Sequence, residues 1–105
     1  MKNGPESLLR LSIVVPCYNE EAVINLTYAD IVDTFKNEPV ELEIVFVDDG
    51  SKDKTSDIAK KKRVDVLKHI VNLGKGATLK TGCDYAIMHG AKKGQIVNYP
   101  TLETL

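Results

Sequence analysis

A chain of 105 residues suits one small domain with a single core and is too short for two. Hydrophobic residues at 43% and charged ones at 28% are ordinary globular proportions and argue against disorder. The net charge of −1 provides no field that would draw the chain to nucleic acid, so none is expected as a partner.

Residues 1–10 read as a flexible leader, without an apolar stretch long enough for a signal peptide. A first strand is expected over Leu11–Val15, stopped by Pro16, which lacks the N–H a sheet ladder needs. Asn19 or Glu20 should open a helix whose apolar stripe is Val23, Ile24, Tyr28, Ile31, Val32 and Phe35, ending near Asn37 ahead of Pro39. Leu42–Val47 is a second strand, apolar on both faces and therefore central. Gly50 then turns the chain, and Ser51 or Asp53 caps a shorter helix through about Lys61. The basic run Lys60–Arg63 is a solvated last turn that complements the helix dipole.

Val64–Leu67 makes a short third strand. Gly74 and Gly76 bracket a loop, and the next helix presents Leu79, Cys83, Ala86 and Ile87 on one face, with Gly90 as its stop. A fourth strand begins at Gln95–Asn98 and meets Pro100. The order β-α-β-α-β-α-β predicts an α/β fold: a mostly parallel sheet with right-handed crossovers between two helical layers, a Rossmann-like three-layer half domain over residues 11–98. Residues 99–105 read as an irregular tail. Cys17 and Cys83 are isolated thiols without metal-ligand spacing, and no run approaches the ~20 apolar residues of a membrane span. A soluble, cytoplasmic chain is expected.

In such sheets ligands bind beyond the carboxyl ends of the strands, and three loops at that edge carry chemistry. The first, Pro16-Cys17-Tyr18-Asn19-Glu20-Glu21, offers an aromatic face for a base and polar groups beside a helix start. The second, Asp48-Asp49-Gly50-Ser51, places adjacent carboxylates where they can accept from a ribose hydroxyl or a base N–H. The third, Asn72-Leu73-Gly74-Lys75-Gly76-Ala77, combines two glycines, one lysine and a helix N-terminus, a combination suited to an anion. Neither the Walker A spacing nor the dinucleotide fingerprint fits, because His69 stands where the first Walker glycine belongs and Leu79 where the third fingerprint glycine belongs.

Together the loops resemble the family 2 glycosyltransferases of the GT-A fold, and within them the polyprenyl- and dolichyl-phosphate sugar transferases. An apolar strand with Pro-x-Tyr-Asn-Glu is met by Ile13–Glu20. Val-Asp-Asp-Gly-Ser-x-Asp-x-Thr is met by Val47–Ser51, Asp53 and Thr55. Asn-x-Gly-Lys-Gly-x-Ala/Thr is met by Asn72, Gly74, Lys75, Gly76 and Thr78, with Gly82 further on. The resemblance covers about residues 11 to 97. It implies the nucleotide-sugar-binding half of a transferase that moves a sugar from a UDP- or GDP-sugar to an acceptor such as a polyprenyl phosphate. Pro16, Tyr18 and Glu20 would line the base and ribose pocket, Asp49 with Asp48 would hold base or ribose, and Gly74, Lys75 and Gly76 would lie by the diphosphate. The family holds Mg²⁺ or Mn²⁺ with an Asp-x-Asp at the end of the fourth strand. Here Asn98-Tyr99-Pro100-Thr101-Leu102 follows instead, without an acidic pair.

The resemblance therefore implies a truncated transferase that binds its donor without transferring sugar, acting at the cytoplasmic membrane face if part of a longer parent. An exposed sheet edge would favour self-association. Two other readings compete. A non-catalytic nucleotide-binding or assembly module would bind and not react. A receiver-type signalling domain carries its acidic pair on the first strand, whereas this pair follows the second and the third strand runs into Lys68.

Overall fold

The computed structural model describes residues 9–101. Four strands form one parallel sheet: β1 (Leu9–Cys17), β2 (Val40–Asp48), β3 (Asp65–Lys68) and β4 (Ile96–Asn98), in the order β3-β2-β1-β4. The helices are α1 (Ile24–Phe35), α2 (Thr55–Lys60) and α3 (Lys75–Met88), and a 3-10 turn at Lys93–Gln95 leads into β4. The α/β, Rossmann-like expectation holds. Strand order reverses at β1, because the chain steps outward to β3 and then returns to lay β4 on the other side. Crevices at such reversals are where open α/β sheets take ligands.

Alternation along the strands builds two cores. Ile13, Val15, Cys17, Ile44 and Phe46 face α1 and α2, meeting Ile24, Ile31 and Ala59. Val14, Val45 and Val47 face the opposite way, meeting Leu79 and Tyr85 of α3. The buried line of α3 is Thr78, Gly82 and Ala86, not the expected Leu79-Cys83-Ala86-Ile87 face, and Ile87 is exposed. Small residues sit there because the helix lies close to the sheet. A Cβ on Gly82 would come 2.3 Å from Cγ1 of Val14.

Several boundaries differ from expectation. β1 starts at Leu9, so Leu9 and Arg10 leave the expected leader. Leu9 pairs with Val40, and Arg10 Nη2 donates to the His89 carbonyl at 2.7 Å. Residues 1–8, the rest of that leader, lie outside the described residues. Pro16 does not stop β1 and lies in register with Val47. The Val14 carbonyl accepts from Tyr99 N–H on the β4 side, so Pro16, two residues on, turns its missing donor to that same side, beyond the last β1–β4 pair at Val14 and Asn98. α1 begins at Ile24 and not at Asn19 or Glu20. α2 spans only Thr55–Lys60, β3 is shifted to Asp65–Lys68, and α3 already starts at Lys75, with Gly74 before it at φ +98°. Lys75 and Gly76 are thus helical, not loop. Beyond β4, Tyr99 packs against the α1 side and bonds Asp30, while Thr101 donates to Glu20. Residues 102–105 lie outside the described residues.

Candidate functional site

The first two loops are laced together by their motif residues. Asn19 N–H donates to Ser51 Oγ at 2.7 Å, and Asn19 Oδ1 accepts from Lys52 N–H at 2.9 Å. Glu20 N–H donates to Thr55 Oγ1 at 2.9 Å, and Glu21 N–H to Asp53 Oδ2 at 3.2 Å. Lys54 N–H returns a bond to Glu21 Oε1 at 2.9 Å. Asn19 adopts φ +49°, a conformation asparagine tolerates better than most residues. Amides that a sequence pattern assigns to the start of α1 are spent on this lacing, which delays the helix to Ile24. Asp53 also accepts from Thr55 N–H at 2.9 Å and so opens α2. Burial raises the Asp53 carboxyl, but the Thr55 hydroxyl, Thr55 N–H and Glu21 N–H together hold it below the ordinary value.

The two adjacent aspartates part company. Alternation sends Asp48 to the α2 side, where it is fully buried. Its Oδ1 accepts Ser51 N–H at 2.9 Å and its Oδ2 accepts the Ser56 hydroxyl. Asp49 turns to the α3 side. Its Oδ1 accepts Leu73 N–H and meets His69 Nδ1, both at 2.8 Å, and its Oδ2 accepts Gly74 N–H at 2.8 Å. Burial alone would raise the Asp49 carboxyl. The Leu73 amide, His69 and the Gly74 amide outweigh it and hold the group ionised below the usual range.

These bonds draw the third loop over the second. Gly50 at φ +82° lies beneath it, and a Cβ there would come 2.6 Å from the Val71 carbonyl carbon. The result is a cavity of about 230 Å³ lined by Pro16, Cys17, Tyr18, Asp49, Asn72, Gly74, Lys75 and Thr78. Tyr18 is exposed, so its ring is available at the rim. No side chain caps α3, and the first main-chain bond of that helix is Thr78 N–H to the Gly74 carbonyl at 3.1 Å. Of the amides before it, that of Gly74 is taken by Asp49, and those of Lys75, Gly76 and Ala77 are left to meet an anion. Nothing lies within 4 Å of where a Cβ on Gly74 or Gly76 would stand.

Of the residues expected at the site, Pro16, Tyr18, Asp49, Gly74 and Lys75 line this cavity, and Gly76 lies one residue further along α3. Asp48 is turned away beneath it. Glu20 points back into the loop, its Oε1 accepting Tyr18 N–H at 3.1 Å and its Oε2 the Thr101 hydroxyl. Thr78, the last residue of the third motif, also lines the cavity, whereas sequence reasoning did not single out His69. His69 stands immediately after the third strand, at the sheet edge where ligands are expected, which was the available signal. Burial, and then the carboxylates of Asp48, Glu20, Asp53 and Asp49, push the Cys17 thiol far up. Cys17 and Cys83 are both free thiols.

A separate groove of about 560 Å³ lies at the opposite end of the strands, where Arg10, Lys62 and Arg63 face Glu41, Glu43 and Asp65. Part of the basic run thus lines this groove, and Lys62 Nζ also sits 5.7 Å from the centre of the Tyr28 ring.

The family model described as glycosyl transferase family 2 matches residues 12–87, which contain all three loops and the whole cavity. The chain belongs to this glycosyltransferase family. An uncharacterized protein of Methanocaldococcus jannaschii is 46% identical over 81 residues, covering 76% of this chain and 31% of that protein. The bactoprenol glucosyl transferase of Shigella phage SfV is 37% identical over 83 residues, 74% of this chain and 27% of that enzyme. A dolichyl-phosphate beta-glucosyltransferase of Trichomonas vaginalis is 39% identical over 83 residues, 70% and 26% of the two chains. The chain therefore spans about a third or less of the length of these relatives. Among solved structures, a mannosyltransferase from Pyrobaculum calidifontis, in complex with GDP-Man and Mn²⁺, superimposes with a TM-score of 0.63 at 24% identity. It covers 83% of this chain and 26% of that one, and it supports the GT-A-like fold. Among the described residues no helix is long and apolar enough to cross a membrane.

Proposed function

We propose that this family 2 glycosyltransferase chain binds the nucleotide of a UDP- or GDP-sugar in the cavity between Tyr18, Asp49 and the N-terminus of α3. The observation that carries the reading is the convergence there of an ionised, nearly buried carboxylate with an uncapped helix start. Asp49 Oδ2 accepts one protein donor and keeps a lone pair for a base N–H or ribose hydroxyl. Tyr18 and Pro16 offer the flat walls a base needs. The α3 amides and Lys75 suit a diphosphate, since helix N-termini favour anions and the glycines leave the backbone open. Glu20 supports the pocket through Tyr18 N–H rather than touching the nucleotide.

The relatives named for bactoprenol and dolichyl phosphate favour a polyprenyl phosphate as acceptor of the whole transferase, at a cytoplasmic membrane face. The solved relative is in complex with GDP-Man and Mn²⁺. We read the described residues after β4 as unsuited to such an ion. Asn98, Tyr99 and Thr101 are neutral, and among the described residues no three His, Cys, Asp or Glu side chains gather closely enough to hold a metal. In this reading the chain's own residues bind and orient the donor. That donor set also favours a second reading, a nucleotide-binding module without turnover. β3 pairs only with Val45–Asp48, leaving Val40–Ile44 of β2 open on that side, and this edge is the proposed route to self-association.

Amide NMR titration with UDP and with GDP, each with and without Mg²⁺, tests the reading. Shifts concentrated at Tyr18, Asp49, Gly74 and Lys75 are expected with one nucleotide. A folded spectrum unmoved by either nucleotide would contradict it. Metal-dependent sugar transfer to a lipid phosphate by this chain would contradict binding without turnover.

A further inference from the structure

His69 follows β3 directly, and its backbone N–H donates to the Asp48 carbonyl at 2.8 Å. The ring is engaged at both nitrogens, with Nδ1 2.8 Å from Asp49 Oδ1 and Nε2 2.9 Å from Thr81 Oγ1. Its side chain is 11% exposed and that of Asp49 is 6% exposed. An ionised carboxylate only accepts, so Nδ1 must carry the proton towards Asp49. In the neutral ring Nε2 then accepts from the Thr81 hydroxyl. The imidazole thus spans the site, joining the carboxylate on the pocket wall to the second turn of α3.

We propose that His69 is a positioning residue for the donor nucleotide, a role that rests on the nucleotide-binding reading above. Leu73 and Gly74 amides hold the carboxylate from the side of the turn, while His69 holds it from the side of the sheet and α3. With all three donors in place the carboxylate has one orientation, and its remaining Oδ2 lone pair keeps a fixed direction into the cavity. Loss of the ring donor lets the carboxylate turn with the Leu73–Gly74 loop, blurring the contact that selects the base. A merely structural staple would instead show its loss in stability alone.

The two amide variants of His69 separate these roles on the whole 105-residue chain. His69→Asn keeps an N–H close to the Nδ1 position, whereas His69→Gln places its amide nearer Nε2. The dissociation constant from NMR titration for whichever of UDP and GDP the wild type binds should rise on the order of tenfold in His69→Gln, the loss of one charge-assisted hydrogen bond. It should stay within about threefold of wild type in His69→Asn, which keeps that bond. Equal weakening in both variants, or none in His69→Gln, overturns the assignment. The ¹⁵N shifts of the wild-type imidazole give a second readout that needs no variant to fold. A proton on Nδ1 is expected, and an Nδ1 without one overturns the proposal. A wild-type chain that binds neither nucleotide overturns the functional reading and removes the role of His69 with it. Wild-type binding with an unaffected His69→Gln overturns the His69 role alone.

Discussion

Asp48 and Asp49 are neighbours in the chain and serve opposite faces of the sheet. Asp48 bonds the Ser51 amide and the Ser56 hydroxyl on the α2 side, and Asp49 bonds Leu73, Gly74 and His69 on the α3 side. A pair that reads in the sequence as one acidic site is two sites. Asp48→Ala should lower stability by about 1–3 kcal/mol, the cost of leaving the buried Ser51 amide and Ser56 hydroxyl without their acceptor. Asp49→Asn should cost a similar amount and in addition abolish nucleotide-induced shifts at Tyr18 and Lys75. Urea titration and nucleotide titration of the two variants check this, and identical binding by Asp49→Asn and wild type would be inconsistent with it.

Acid should expose the hydrogen-bonded carboxylates. Asp49 and Asp53 both titrate in the folded protein below their ordinary value of 3.8. As pH falls the unfolded chain therefore takes up these protons first, and the stabilisation is full above the ordinary value and lost through the range below it. Urea midpoints measured from neutral pH downward should begin to drop as 3.8 is approached, and Asp49→Asn should flatten that decline. An acid limb equally steep in the variant would show that other groups set it.

Glycines in α3 should respond oppositely to alanine. At Gly82 the added Cβ meets Val14 at 2.3 Å and Val47 at 3.1 Å, so α3 must lift from the sheet at about 1–3 kcal/mol. At Gly76 nothing lies within 4 Å, and alanine in a helix is preferred by about 0.5–1 kcal/mol. Thermal unfolding should show Gly82→Ala less stable and Gly76→Ala more stable than wild type. Nucleotide affinity of Gly76→Ala should nevertheless fall, because the new methyl would stand in the proposed path of the diphosphate to α3.

The two thiols should differ in reactivity. Cys17 is buried and its thiolate is opposed by burial and by four nearby carboxylates, whereas Cys83 is only partly buried. Timed labelling with iodoacetamide under native conditions should modify Cys83 first and Cys17 only on unfolding. Early loss of the Cys17 thiol would contradict the enclosure of the β1 end.

Much of this was legible in the sequence. The apolar runs Ile13–Val15 and Ile44–Val47 announce buried strands, and their spacing with helical segments announces a parallel sheet. Three features were not legible. Hydrophobic periodicity misplaced the buried face of α3, because close packing against Val14 selects Thr78, Gly82 and Ala86 for size and not for apolarity. Pro16 failed as a stop because only the pairing partner decides which side of a strand needs a donor. The site itself was misread at Asp48 and missed at His69, since the strand's alternation and a bond spanning 20 residues determine which carboxylate reaches the pocket. Helix-start signals at Asn19 and Glu20 likewise gave way to partners more than thirty residues away.

That lacing has a kinetic meaning. The bonds from Asn19 to Ser51, Glu20 to Thr55 and Glu21 to Asp53 bridge 32 to 35 residues, and the bond from Thr101 to Glu20 bridges 81. None can form before β1 and β2 have found each other, and the last must await β4. Non-local closures of this kind are entropically late events in folding. The chain should collapse and acquire its sheet first, and only afterwards become able to hold a nucleotide, so the pocket is the final product of folding and not its nucleus.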